Sequence, residues 1–156
     1  MTSRRFFGIF TMFVLAALPA LAKPNFTGDW KLNASKSTFG QMPAPDSMTY
    51  KVKHDEPALH ADSKQSSQMG EFEQHLNYTT DGKESTNEGF GGSTSKSVLK
   101  WEGDALLIET KATFGDNEIT ISEKWTLSGD GKTLTVARSF KSANFNGDQT
   151  MVFDKQ

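Results

Sequence analysis

Residues 118–140 read EITISEKWTLSGDGKTLTVARSF. Ile119, Ile121, Glu123, Trp125 and Leu127 share one parity, and so do Leu134, Val136, Arg138 and Phe140. Between them lies Ser128-Gly129-Asp130-Gly131, whose glycines allow positive φ. Period-two alternation on both sides of a Gly/Asp turn predicts a β-hairpin. With Leu127 set opposite Lys132, Trp125 faces Leu134, Glu123 faces Val136 and Ile121 faces Arg138. Two apolar stripes then share one face, and each carries a single charge. Glu123 and Arg138 are diagonal neighbours in that register, within reach of one another. A charge on a core-facing stripe is costly unless paired, so this pair is either structural or functional.

The same alternation extends outward in both directions. Phe26, Gly28, Trp30 and Leu32 mark a first strand within Asn25–Leu32, and Met48, Tyr50, Val52 and His54 mark a second. Asn33 is placed to cap one helical turn that Gly40 ends, and Pro43 and Pro45 make an extended connector. Leu59, Ala61 and Ser63 begin a strand that fades into a polar run at 64–68. Phe72, Gln74, Leu76 and Tyr78 mark the next. The Ser-, Thr- and Gly-rich segment 83–97, with Phe90 inside a glycine cluster, reads as a mobile loop flanked by short edge strands. Val98–Trp101 and Ala105–Phe114 form a second hairpin, and Met151 and Phe153 place a last strand. No eleven-residue window shows a 3.6-residue apolar period. The fold class is therefore all-β: an antiparallel up-and-down meander of about 8–10 strands closed into a barrel, with at most short helical turns.

Arg4 and Arg5, the apolar run Phe6–Leu21 and the small-x-small site Ala20-Leu21-Ala22 together predict a secretory signal peptide over residues 1–22, leaving 23–156 as a single domain. Ser3-Arg4-Arg5-Phe6-Phe7 also resembles a twin-arginine export signal. Losing Arg4 and Arg5 takes the basic residues from 17 to 15 against 19 acids, a net charge of −4, with Arg138 the sole remaining arginine. That balance argues against nucleic acid and anionic membrane surfaces as partners, and no membrane span is expected after signal removal. Cysteine is absent, so an exported domain must hold together by core burial. Asn25, Asn33 and Asn77 are glycosylation sequons in a host that glycosylates.

At Phe26-Thr27-Gly28-Asp29-Trp30-Lys31-Leu32 the chain resembles the opening strand of the lipocalins and fatty-acid-binding proteins, the calycin barrels, whose Gly-x-Trp mark is met by Gly28 and Trp30. The meander of hairpins and the late-strand arginine, Arg138, match the same outline. The pattern is also similar to small exported bacterial proteins of lipocalin-like appearance. The resemblance implies structural roles for Gly28 and Trp30, and an arginine that packs across the Trp to close one barrel end or reaches a bound carboxylate. Two features depart from it. Segment 33–46 is short for the paired helical lid of fatty-acid-binding proteins, and the final strand has no flanking helix of the lipocalin kind.

Arg138 thus has two readings. It is an anchor for an acidic ligand group, because guanidinium binds carboxylate bidentately and keeps its charge when buried. Alternatively it is a plug, paired with Glu123 and stacked on Trp30. Trp30, Tyr50, Phe72, Tyr78, Trp101, Trp125 and Phe140 either line a ligand cavity or fill the core. His54 shares the apolar face of its strand whereas His60 and His75 do not, so no metal site is expected. The turn aspartates lack calcium-loop spacing. Gly131-Lys132-Thr133 looks like the end of a phosphate loop, but Thr126 replaces the required glycine and a strand follows. Gly-x-Ser-x-Gly and His-Glu-x-x-His are missing; Glu102 with Asp104, or Glu109 with Glu123, are the carboxylate pairs left for acid–base chemistry.

The expectation is an exported binding protein for a small apolar or amphipathic molecule, hydrophobic or carboxylate-bearing, with Arg138, Glu123, Tyr50, Tyr78, Trp101, Trp125 and Phe140 at the site and no cofactor. The alternative is an envelope interaction module with a filled core, presenting loop 85–97 to a protein partner. A small enzyme of isomerase or cyclase type ranks behind both.

Overall fold

The alternating stripes form ten antiparallel strands in a computed structural model, which describes residues 22–156 apart from 69, 90, 91, 115 and 116. They are β1 Gly28–Leu32, β2 Ser47–Asp55, β3 Ala58–Ser67, β4 Gly70–Thr79, β5 Glu84–Glu88, β6 Thr94–Glu102, β7 Ala105–Phe114, β8 Asn117–Leu127, β9 Thr133–Ser142 and β10 Asn146–Lys155. A 3-10 turn at Ala34–Lys36 is the helical element among the described residues. The expected signal peptide, up to residue 21, and the loop aromatic Phe90 lie outside the described residues.

Apart from β4 and β5, neighbours in the chain are neighbours in the sheet, which runs β4-β3-β2-β1-β10-β9-β8-β7-β6-β5. Pairing of β1 with β10, Trp30 opposite Lys155, joins the first strand to the last. β4 and β5 stand at the two ends of this order and are bridged by side chains. The Asn77 amide donates to Asn87 Oδ1 at 2.7 Å, Asn87 Nδ2 donates back to the Asn77 carbonyl at 3.1 Å, and the Thr79 amide donates to Ser85 Oγ at 3.1 Å. One asparagine amide thereby does for the β4 edge at Asn77 what a ladder would do, and the barrel is nearly closed.

The β8–β9 hairpin has the expected faces but a different register. Leu127 pairs with Leu134, Trp125 with Val136, Glu123 with Arg138 and Ile121 with Phe140. The pairing is displaced from the expected one because the turn is held by its own hydrogen bonds. The Ser128 amide donates to the Thr133 carbonyl at 2.9 Å, and Asp130 Oδ1 accepts the Lys132 amide at 3.1 Å. Gly131, at φ 68°, makes the bend. A two-residue slip conserves side-chain parity, so every inward residue stays inward and the two charges move from diagonal to directly opposite.

The short edge strands expected around segment 83–97 are present, and the strand expected to fade at 64 runs on. Residues 84–88 and 94–97 belong to β5 and β6, where Asn87, Ser95 and Ser97 point inward and are buried. Residues 64–67 continue β3 between β2 and β4. Inward polar residues leave no apolar period to detect. The expected helical turn ends at Ser37, not at Gly40, and Asn33 does not cap it; its Nδ2 donates to Asp154 at 2.6 Å. Gly40 has another task. At φ 59° a β-carbon there would lie 2.5 Å from the Asp148 carbonyl oxygen, so only glycine lets the connector 37–46 lie against β10, where Thr38 bridges Thr150.

The core fills one half of the barrel. Phe26, Leu59, Leu99, Leu106, Leu134 and Phe153 have no measurable exposure, and Trp30 and Trp125 have 1% each. Phe26 is stacked on Trp101 and His54 and meets Trp125 edge-on, with ring centroids 5.7–5.9 Å apart. Trp30 donates its indole N–H to the Phe26 carbonyl at 2.9 Å. The cation over Trp30 is Lys155, 5.2 Å from the ring, and not Arg138. Gly28 makes this possible, because a β-carbon there would meet Lys155 Cε at 2.7 Å.

Candidate functional site

Along each strand the inward residues change character at a common height. β3 runs Leu59, Ala61, then Ser63 and Gln65; β6 runs Trp101, Leu99, then Ser97 and Ser95; β9 runs Leu134, Val136, then Arg138. The register sets Ile108, Glu123, Arg138 and Gln149 in one row across β7, β8, β9 and β10. Beyond this row the barrel opens into a cavity of about 830 Å³. Apolar groups of the connector, Phe39 and Met42, form part of its wall, and Gln149 Nε2 reaches Met42 Sδ at 3.3 Å.

The floor of the cavity is a polar network. Arg138 donates from Nε to Glu123 Oε1 and from Nη2 to the Tyr50 hydroxyl at 3.0 Å. Trp125 Nε1 donates to the other Glu123 oxygen at 3.1 Å. Ser97 and Thr110 hydroxyls meet at 2.8 Å. The ion pair is largely shielded, with the Arg138 and Glu123 side chains 18% and 10% exposed. Burial alone would disfavour the Arg138 charge; the Glu123 carboxylate and Tyr50 outweigh it, so the guanidinium is held more firmly protonated than usual. Burial is also the main reason the Tyr50 and Tyr78 phenols are pushed up from their ordinary range, which keeps both as neutral hydroxyls.

The cavity lining includes Tyr50, Tyr78, Glu123, Trp125, Arg138 and Phe140, together with Phe72. Trp101 does not join them. It has the inward parity expected of it but lies at the other end of its strand, where its indole N–H donates to Glu56 Oε1 at 2.9 Å. Gly28 and Trp30 belong to that filled end too. Ser63, Thr110 and Gln149 complete the polar floor, with Ser97 buried behind Thr110, and no apolar-period signal could single them out. Glu109 is exposed on the outer face while Glu123 points inward, so these carboxylates do not converge; Glu102 pairs with Lys124 at 2.8 Å. His54 is buried, whereas His60 and His75 lie outside the barrel on Asn77 and Asp62. Among the described residues no three potential metal ligands cluster. A shallower depression of about 520 Å³ lies on the outer surface of β7–β10, on the far side of the sheet from the cavity.

No protein-family model matches the sequence, and no curated protein matches it. Solved structures do match in fold. The zebrafish ileal bile acid-binding protein complexed with cholic acid aligns over 84% of this chain and 98% of its own, at 15% identity and a TM-score of 0.55. Caenorhabditis elegans lipid binding protein 8 aligns over 84% and 95%, at 13% identity and a TM-score of 0.57. The REP1-NXSQ fatty acid transporter aligns over 84% and 96%, at 13% identity and a TM-score of 0.57. Likeness at such identities is likeness of fold, and the fold this chain shares with them is the calycin β-barrel.

Proposed function

We propose that the protein is an exported binding protein that carries a small apolar or amphipathic molecule in the open half of its barrel. The observation that carries the reading is the cavity of about 830 Å³ above a fully packed half-core, walled by aromatic and aliphatic side chains over a floor of hydroxyl and amide groups. A water-excluding pocket with a few convergent polar groups is the usual form of a small-molecule site. Structural neighbours whose names specify bile acid, lipid or fatty acid support the same reading by analogy of fold. Export rests on the Arg4-Arg5, Phe6–Leu21 and Ala20-Leu21-Ala22 pattern. Phe145, at 40%, is the large hydrophobic side chain exposed among the described residues, which offers a protein partner little apolar surface.

Native mass spectrometry of the full chain expressed in cells, wild type beside Ala112→Trp, tests the proposal. Ala112 lines the cavity, and an indole there would project into it and narrow it. A discrete added mass in the wild type that is missing from the variant is the expected result. Bare protein in both would overturn the carrier reading. N-terminal sequencing of the processed form checks export: a start at Lys23 is expected, and an intact Met1 or Thr2 in an envelope fraction would refute cleavage.

A further inference from the structure

Resting on the carrier reading, we infer that the cavity selects ligands whose polar group is uncharged, a hydroxyl or carbonyl, and rejects carboxylates. Arg138 is the cationic side chain expected to hold an acid, yet its charge is already answered inside the barrel. Glu123 sits directly opposite on the neighbouring strand and takes its Nε hydrogen, and Tyr50 takes an Nη2 hydrogen. Glu123 is itself fixed by the Trp125 indole, and among the described residues no buried side-chain nitrogen or oxygen lacks a partner.

An entering carboxylate must either displace Glu123 from Arg138 or share the guanidinium with it through the N–H groups that Glu123 and Tyr50 leave. Two carboxylates would then share one guanidinium in a shielded space, and one would remain buried without a counter-charge. An ammonium meets the mirror-image obstacle, since it would have to displace Arg138 from Glu123. The rest of the lining gives an acid no second site. Among the described residues no lysine lines the cavity, and of the charged residues at its rim, which lie on the outward parity of their strands, Glu73 is answered by Lys64 at 2.5 Å and His75 by Asp62 at 2.7 Å. What the floor does present is hydroxyls that both donate and accept: Tyr50, Tyr78, Ser63 and Thr110. These recognise an alcohol or a carbonyl without disturbing the ion pair.

Retinol and retinoic acid share one apolar body and differ in the head group, and both quench tryptophan fluorescence, for which Trp125 in the cavity wall is the reporter. Titrating the full-length protein with each at neutral pH, retinol is expected to bind at least about tenfold more tightly. Glu123→Gln removes the competing carboxylate and is expected to reverse that order. Equal or tighter binding of retinoic acid to the wild type would overturn the inference while leaving the carrier reading intact. Identification of the mass released from the wild type decides the matter independently, even where Glu123→Gln does not fold: an uncharged compound supports the inference, and an acid or amine overturns it. Failure of both retinoids to bind, with no retained mass, would remove the carrier reading and the inference together.

Discussion

The two halves of the barrel share strands, hydrogen-bond ladders and inward parity, yet one is filled and the other hollow. In the filled half, Trp30, Phe26, Leu106 and Phe153 are large enough to meet across the interior, and the few polar atoms there are tied to the backbone or to Glu56. In the hollow half the same inward positions carry Ser63, Ser95, Ser97 and Thr110, side chains too short to reach the opposite wall. Volume, more than polarity alone, makes the cavity. The Glu123–Arg138 pair lies at the boundary, where it seals the packed half from the open one and forms the floor of the latter.

The sharpest way to break this contrast is truncation at each end. Trp30→Ala should cost about 3–5 kcal/mol of unfolding free energy, because a cavity opens in a region that cannot collapse and the Phe26 carbonyl loses its donor. Urea denaturation followed by circular dichroism would measure it, and a loss no greater than at the open end would refute the division. Next in size is the boundary pair. Arg138→Met alone should cost about 2–4 kcal/mol by stranding the Glu123 carboxylate, whereas the double change Glu123→Met with Arg138→Met should recover more than half of that loss. A double mutant as unstable as the single one would mean the pair is not the reason.

Glu56 gives a pH-dependent test of the filled end. Burial tends to raise its carboxyl, but hydrogen bonds from Thr80, Trp101 and His54, with the charge of Lys23, pull it below the ordinary 4.5. A lowered carboxyl stabilises the fold above its unfolded value and loses that contribution as pH falls through the native one. Glu56→Ala should therefore be about 1 kcal/mol less stable than wild type at pH 7, solvent screening the partly exposed carboxylate, with the gap closing as the pH drops below 4.5. A gap that stays constant down to acid would mean that the carboxylate charge contributes nothing. The smallest effect is expected at the mouth: Ile119→Thr should change stability by about 1 kcal/mol or less, while weakening retinol binding in the titration described above. Ile119 is half-buried in the cavity wall.

Parity was legible and register was not, for a definite reason. Alternation specifies a face with a period of two, so it is blind to slips of two residues; the loop between β8 and β9 decides that, through the hydrogen bonds of Ser128 and Asp130. Alternation also left the bounds of the expected edge strands β5 and early β6 open. Asn87, Ser95 and Ser97 are inward and buried, and being polar they give an apolar-period search no face to mark. Of the expected site residues, Trp101 shows the remaining gap. Parity says that a side chain points inward; it does not say at which height along the barrel, and Trp101 is at the filled end.

From sequence alone, the alternating stripes and turn residues determined an all-β meander, the inward faces of its strands, and a charged pair on the core side. Those are local properties of a chain whose side chains alternate and whose glycines permit tight turns. Tertiary structure alone decided that the seam of the barrel falls between β4 and β5, where Asn87 bridges them, that Glu123 lies opposite Arg138, and that the short inward residues of several distant strands fall at one height. A cavity is the sum of what many strands fail to fill, and no single strand carries that sum.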